Sequence, residues 1–296
     1  MEQVKQNGMQ SRIYPGRLLW WSAPVIIALM VAGSAAAQTA REARGAAAVE
    51  PLQNEPPATI VIDPPLPEPL SYGRVVIQYR AENLHMVPVF GPATLAVSPR
   101  VGHIHVSVDD ASWVWVDASG EPVILNGLAI GPHKILIQLE NANHQLLDQG
   151  SVEFTVPRPP NSASSAAKNV NATHGMAAGE PPQSEPPAKL IVDAPKAEPL
   201  SRGVLFLPYR AENLHILPVF GPAALAVTPR VGHIHVTVDD ATWHWADASG
   251  VPVIINGLAP GSHKVLIQLV NANHRPLDQQ VVTFTIPDGT TSHDRH

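Results

Sequence analysis

Residues 100–108 read Arg-Val-Gly-His-Ile-His-Val-Ser-Val, and this stretch indicates the kind of fold that the chain adopts. Apolar and polar side chains alternate along its second half, and most of the apolar ones are β-branched. A period of two is typical of a β-strand with one buried face. We therefore predict a strand that turns its apolar residues to the core and places His103, His105 and Ser107 together on the other face.

The same stretch occurs twice in the chain. Arg100–Val106 returns unchanged as Arg230–Val236, and Arg80-Ala-Glu-Asn-Leu-His85 also returns 130 positions later. The two copies therefore align without a gap between these segments. A fixed period of this kind is the signature of a repeated structural unit. We predict two copies of one domain, at residues 58–157 and 188–287.

The other segments of each copy also favour strands rather than helices. Short runs rich in β-branched residues alternate with Gly, Pro and Asn turn residues, and no apolar stripe of helical period is present. We predict an immunoglobulin-like β-sandwich for each copy, with a small β-barrel as the alternative. In the first copy, the further predicted strands are residues 60–62, 75–79, 95–97, 123–125, 135–139 and 152–156.

The first residues of the chain read as an export signal. Basic residues precede an apolar run at 18–31, and Ala35-Ala-Ala37 has the shape of a signal-peptidase site. We predict a signal peptide at 1–37 and a bacterial protein that is periplasmic or secreted. The alternative is a retained N-terminal anchor, but the run is shorter than the roughly 20 residues that a membrane-spanning helix needs.

The segments between and beside the copies are poor in large apolar residues. Residues 38–57 and 158–187 are rich in Ala, Pro, Ser, Asn and Glu, a composition that favours linkers, and 288–296 form a polar tail.

Composition also limits the functions to consider. The net charge is -6 and no basic stripe is present, which argues against a nucleic-acid partner. The chain has no cysteine, so disulfides, thiolate metal sites and thiol nucleophiles are excluded. It also has no nucleophile elbow, phosphate-binding glycine loop or zinc-protease motif. We therefore predict a binding protein rather than an enzyme.

Histidine is the residue that could carry chemistry. His103 and His105 lie on one face of the predicted strand, close enough for two imidazoles to converge on an ion. A third ligand could come from His133 or His144, if the strand that follows Gly131 lies beside this one. Neutral imidazole suits copper or zinc. The candidate metal ligands are His103, His105, His133 and His144 in the first copy and His233, His235, His263 and His274 in the second.

Two other interpretations stay open. The histidines could be ordinary polar residues of a solvated strand face. The tryptophan pairs, Trp113 with Trp115 and Trp243 with Trp245, could complete the core, or they could form an exposed surface that binds a protein or glycan of the cell envelope. A purely structural module would have neither property.

The order of these motifs resembles that of a known kind of domain. Pro99-Arg-Val-Gly-His-Ile-His-Val106, Gly131-Pro-His-Lys134 and Asn141-Ala-Asn-His144 follow the pattern Gly-His-x-His, Gly-x-His, Asn-His of a family of uncharacterised exported bacterial domains. The resemblance covers both copies and implies export and a β-sandwich. It marks the same four histidines of each copy but implies no assigned function.

Overall fold

A computed structural model describes residues 55–158 and 185–288 of the chain. These two ranges belong to one compact unit. The predicted signal peptide at 1–37, most of the two linkers and nearly all of the polar tail lie outside the described residues.

The described residues fold mainly into β-strands, so the prediction of an all-β fold is confirmed. The strands of the first copy are β1 (Thr59–Ile62), β2 (Arg74–Ile77), β3 (Tyr79–Glu82), β4 (His85–Met86), β5 (Val101–Val108), β6 (Val114–Asp117), β7 (Val123–Asn126), β8 (Gly131–Asn141) and β9 (Leu146–Val156). Those of the second are β10 (Lys189–Val192), β11 (Val204–Leu207), β12 (Tyr209–Glu212), β13 (His215–Ile216), β14 (Val231–Val238), β15 (His244–Asp247), β16 (Val253–Asn256), β17 (Gly261–Asn271) and β18 (Pro276–Ile286).

Helices are short in the described part of the chain. Each copy has one five-residue α-helix, α1 (Pro67–Ser71) and α2 (Ala197–Ser201), and one 3-10 helix, Pro92–Ala96 and Pro222–Ala226. The strand predicted at 95–97 is therefore wrong, because most of it lies in the first 3-10 helix. Pro92 has a fixed φ that suits the start of a helix. This local constraint outweighs the strand preference of the β-branched Val97 at the end of the run.

Two large sheets are each built from both copies. One has the strand order β11-β16-β6-β5-β8-β9, and the other has the order β18-β17-β14-β15-β7-β2. Strand β7 of the first copy pairs with β15 of the second, and β16 of the second pairs with β6 of the first. The copies thus exchange a two-stranded piece, β2 with β7 for β11 with β16, which the repeat in the sequence does not reveal.

The exchange depends on close contact between the copies. Gly127 has a φ of 80°, and a Cβ atom at this position would collide with the carbonyl oxygen of Thr242 in the other copy. Gly257 has a φ of 83° and makes the matching close approach to Ser112. Only glycine adopts this conformation readily and leaves room for the opposing backbone.

The four tryptophans of the described residues stack where the copies meet. The rings of Trp115 and Trp245 lie 5.0 Å apart and nearly parallel, and those of Trp113 and Trp243 lie 5.8 Å apart. Trp115 and Trp245 are 3% and 4% exposed and belong to one apolar core that both copies share. One tryptophan of each pair therefore completes the core, as one of the two interpretations expects, whereas Trp113 and Trp243 are partly buried and pack against it.

Two small sheets complete the part of the chain that the structure describes. Strand β1 pairs with β3, β10 pairs with β12, and each of these sheets packs against the long hairpin of its own copy. The contact includes hydrogen bonds from the backbone N–H groups of Ile60 and Leu190 to the carboxylates of Asp148 and Asp278. The core is thereby covered on both sides, as in a sandwich.

Candidate metal centre

The central strand of each large sheet carries the candidate ligands. Strand β5 pairs antiparallel with β8, which places His103 opposite Glu140 and His105 opposite Gln138. The strand after Gly131 therefore does lie beside the His-Ile-His strand, as the three-ligand hypothesis requires. The side chains of His103 and His105 point to one face, although this face is buried rather than solvated: the two residues are 0% and 5% exposed.

Three imidazoles converge at the end of this strand pair. The Nε2 atoms of His103 and His105 lie 3.2 Å apart, and each of them lies 3.2 Å from Nδ1 of His144. The three nitrogens therefore form a nearly equilateral triangle.

The second copy repeats this geometry. The Nε2 atoms of His233 and His235 lie 3.2 Å apart, and they lie 3.2 and 3.0 Å from Nδ1 of His274. Each copy thus brings together three of its four predicted ligands.

The size of the triangle fits a small transition-metal ion. Metal–nitrogen bonds in tetrahedral sites are about 2.0–2.1 Å long, which puts their nitrogen ligands about 3.3 Å apart. Three protein ligands would leave a fourth coordination position for water, a substrate or another donor. The residues present therefore suit zinc or copper bound through imidazole.

A tight turn supplies the third ligand. His144 has a φ of 59°, and the side-chain oxygen of Asn141 accepts hydrogen bonds from the backbone N–H groups of Asn143 and Gln145. His274 has a φ of 61° in the same turn of the second copy. A left-handed conformation is uncommon for residues other than glycine, and Asn, Asp and His adopt it more readily than most. The Asn-Ala-Asn-His motif holds the imidazole at the end of β5 through this turn.

A buried carboxylate orients one ligand of the first copy. Nδ1 of His105 lies 3.1 Å from Oε1 of Glu140, and the two side chains are 6% and 9% exposed. A proton on Nδ1 leaves the lone pair of Nε2 directed into the triangle, an arrangement common behind metal-bound histidines. Oε2 of Glu140 is buried without a hydrogen-bond partner.

Glu140 was missed by the sequence analysis, in which the predicted strand ended at residue 139. Two signals could have identified it. It lies four residues before His144, and with the register of the sheet known it stands directly opposite His103.

Burial keeps the central histidines in the form that binds metal. It lowers the pKa of His103 to about 2, with a further contribution from the neighbouring His105 and His144. Burial also lowers the pKa of His233, to about 4. Because only neutral imidazole ligates a metal, both residues remain ready to bind at neutral pH.

An aromatic ring covers each triangle. The ring of Phe90 lies 5.1 Å from that of His103 and stacks on His144 at 5.9 Å. Phe220 takes the same position in the second copy and is 38% exposed. Each phenylalanine ring thus packs against two of the three histidines of its copy.

The remaining predicted ligands, His133 and His263, are not brought to the triangles. Nδ1 of His133 bonds to the carboxylate of Asp109 at 2.7 Å, and Nε2 bonds to the carbonyl oxygen of Ala129 at 2.8 Å. His263 makes the same two contacts in the second copy. Because both nitrogens are engaged by oxygen atoms of the protein, these side chains fasten a turn and are not directed at a metal site.

The sequence matches one protein family over both copies. Residues 17–166 and 159–296 each match DUF6130, a family of unknown function. The chain belongs to this family and carries its domain in tandem, which confirms the resemblance to an uncharacterised domain. No curated protein matches the chain. Within the described residues, no helix is long and apolar enough to cross a membrane.

Proposed function

We propose that this protein is an exported, non-catalytic binding protein that holds a copper or zinc ion in each three-histidine cluster. The observation that carries the proposal is the triangle of imidazole nitrogens, present in both copies with sides of 3.0–3.2 Å. A periplasmic or secreted location follows from the export signal predicted at residues 1–37. Storage, buffering or delivery of the ion suits a chain whose sequence carries no recognised catalytic motif.

The burial of the cluster supports this proposal over the interpretation as surface histidines. His103 and His105 are 0% and 5% exposed, and His233 and His235 are 0% and 6% exposed. Removing these imidazoles from water costs free energy unless their polar atoms have partners. A metal ion bound by the two Nε2 atoms of a pair and Nδ1 of the third histidine would provide such a partner.

The test is metal binding by the chain from Gln38 to His296, made without an added histidine tag. We expect close to two ions of Cu(II) or Zn(II) per chain at pH 7.5, with submicromolar dissociation constants. Replacing the third ligands together, His144→Asn with His274→Asn, should weaken binding at least about 100-fold, because two imidazoles bind a metal poorly. Asparagine is chosen because it tolerates the left-handed backbone of this turn.

The matched control replaces two histidines outside the clusters. His85 and His215 are exposed on β4 and β13, and His85→Gln with His215→Gln should leave both affinities unchanged. Equal binding by the control and the ligand variant, or affinity no better than that of scattered surface histidines, would refute the proposal. The envelope-binding alternative would then remain, through a surface that does not depend on the buried Trp115 and Trp245.

A further inference from the structure

The two clusters differ in the residues that surround them. In the first copy, Glu140 stands opposite His103 and contacts His105. In the second copy the matching residue is Val270, which stands opposite His233. The first cluster therefore has a buried carboxylate beside its ligands, and the second has an apolar side chain in that place.

The strand exchange brings a cation to the second cluster. Asn126 of β7 pairs with both Arg74 and His244, and Nε of Arg74 donates a hydrogen bond to its side-chain oxygen at 3.1 Å. The ring of His244 stacks on that of His235, with 4.3 Å between their centres. Arg74 of the first copy thus lies on the same sheet as the ligands of the second, on the third strand from β14.

The corresponding positions of the other large sheet carry no charge. Asn256 of β16 pairs there with Val204 and Val114, which stand where Arg74 and His244 stand in the second site. The first cluster thus has two valines and a carboxylate around it, whereas the second has an arginine, a fourth histidine and a valine.

Arg74 is linked to a ligand of the second cluster through Asn126 and His244, since its Nε bonds to Asn126, which pairs with His244, and His244 stacks on His235. The guanidinium keeps its positive charge at all ordinary pH values. It therefore opposes a metal cation held by these imidazoles, which the valine in the matching position of the other sheet does not.

We infer that the two clusters take ions of different charge: the first is a site for a divalent ion, Zn(II) or Cu(II), and the second is a site for monovalent Cu(I). The inference rests on the proposed function. The electrostatic energy of a bound ion is proportional to its charge, so a divalent ion gains twice as much from Glu140 and loses twice as much to Arg74. Neutral imidazole binds copper and zinc, so the ligands themselves permit both outcomes.

The experiment measures each site separately in the chain from Gln38 to His296. His274→Asn leaves the first cluster intact, and His144→Asn leaves the second. Each protein is titrated with Zn(II) at pH 7.5. A second titration at the same pH uses Cu(I) in the absence of oxygen, with a coloured chelator that competes for the ion. We expect the first cluster to bind Zn(II) at least about tenfold more tightly than the second, whereas its advantage for Cu(I) should be about threefold or less, because the monovalent ion feels half the electrostatic difference.

Two charge variants test the cause. Glu140→Gln retains an acceptor for His105 but removes the negative charge, so the first cluster should lose about tenfold in Zn(II) affinity and about threefold or less in Cu(I) affinity. Arg74→Val installs the residue of the matching position in the other copy, and the second cluster should gain Zn(II) affinity by a similar factor. The near-ultraviolet circular dichroism of the stacked tryptophans reports that each variant is folded.

Equal Zn(II) affinities of the two clusters, or charge variants that change the Zn(II) and Cu(I) affinities by the same factor, would overturn this inference and leave the proposed function intact. Absence of binding by either ion at both clusters in the unaltered chain would instead overturn the proposed function itself.

Discussion

Whether a histidine can serve as a metal ligand depends on what each of its ring nitrogens faces. Nδ1 of His105 faces the carboxylate of Glu140, which leaves Nε2 free to bind. Both nitrogens of His133 face acceptors, so each bond requires a proton on the ring. The two residues are alike in sequence, and their contacts alone separate a candidate ligand from a residue that fastens a turn.

A pH-dependent contribution to stability follows for His263. Burial lowers the pKa of His263, but the hydrogen bonds to Asp239 and to the carbonyl of Ala259 outweigh this effect, so the pKa lies above 6.5. A raised pKa means that the stabilisation is complete below about pH 6.5 and is lost as the pH rises through the pKa of the folded state. We expect His263→Gln to lower the free energy of unfolding by about 1–2 kcal/mol at pH 5.5 and by less at pH 9.

The measurement is chemical unfolding of metal-free protein across this pH range, with His215→Gln as the control. His263→Gln should also leave metal affinity unchanged. A stability difference that does not change with pH would contradict the effect assigned to these two hydrogen bonds. The loss of one bound metal ion per chain would contradict the exclusion of His263 from the metal site.

At the scale of elements, the site depends on how closely β5 and β8 approach each other. A Cβ atom at Gly102 would collide with the backbone carbonyl oxygen of Glu140, and the same holds for Gly232 and Val270 in the second copy. The glycine of the Gly-His-x-His motif is therefore required by the sheet. It lets the strand that carries two ligands lie against the strand that leads to the third.

Gly102→Ala should separate these strands. We expect a loss of about 2 kcal/mol or more in the free energy of unfolding, because the opposing atom belongs to the backbone and cannot rotate away. Zn(II) affinity of the first cluster should fall with it, while the second cluster should keep its own.

The control for this prediction is Gly150→Ala, on β9. Its Cβ would meet only the end of the Ile62 side chain, and the second copy has Gln280 at the matching position. We expect a change within about 1 kcal/mol there. A Gly102→Ala protein as stable as this control, with both metal sites unchanged, would contradict the proposed packing.

At the scale of the whole molecule, neither copy completes its large sheet alone. Strand β6 of the first copy is followed in its sheet by β16 and β11 of the second, and the tryptophans of both copies stack between them. The two copies have nearly the same sequence. A second molecule of the first copy can therefore provide the strands and surfaces that the second copy provides in the full chain.

A chain that ends after the first copy, residues 38–158, should therefore form a homodimer. Two such chains can exchange β2 and β7 with each other as the two copies do in the full chain. Analytical ultracentrifugation of the fragment at micromolar concentration should give twice the mass of one chain, with dissociation coupled to unfolding. A folded monomer with the same tryptophan circular dichroism would contradict the strand exchange.

Local patterns in the sequence predict the class of fold and most of the site. Alternation along residues 100–108 predicts a strand, the period of 130 identifies two copies, and His103, His105 and His144 were among the candidate ligands. These features depend on local periodicity and on chemistry that one strand and one turn display without reference to the rest of the chain.

The neighbours of these residues, by contrast, depend on how distant strands pair in the folded chain. Register places Glu140 beside His105 and excludes His133 from the triangle, and strand exchange brings Arg74 of one copy to the cluster of the other. Strands of similar apolar character can pair in many orders. The actual order depends on long-range contacts, such as the stacked tryptophans and the close approach at Gly127, that no local pattern encodes.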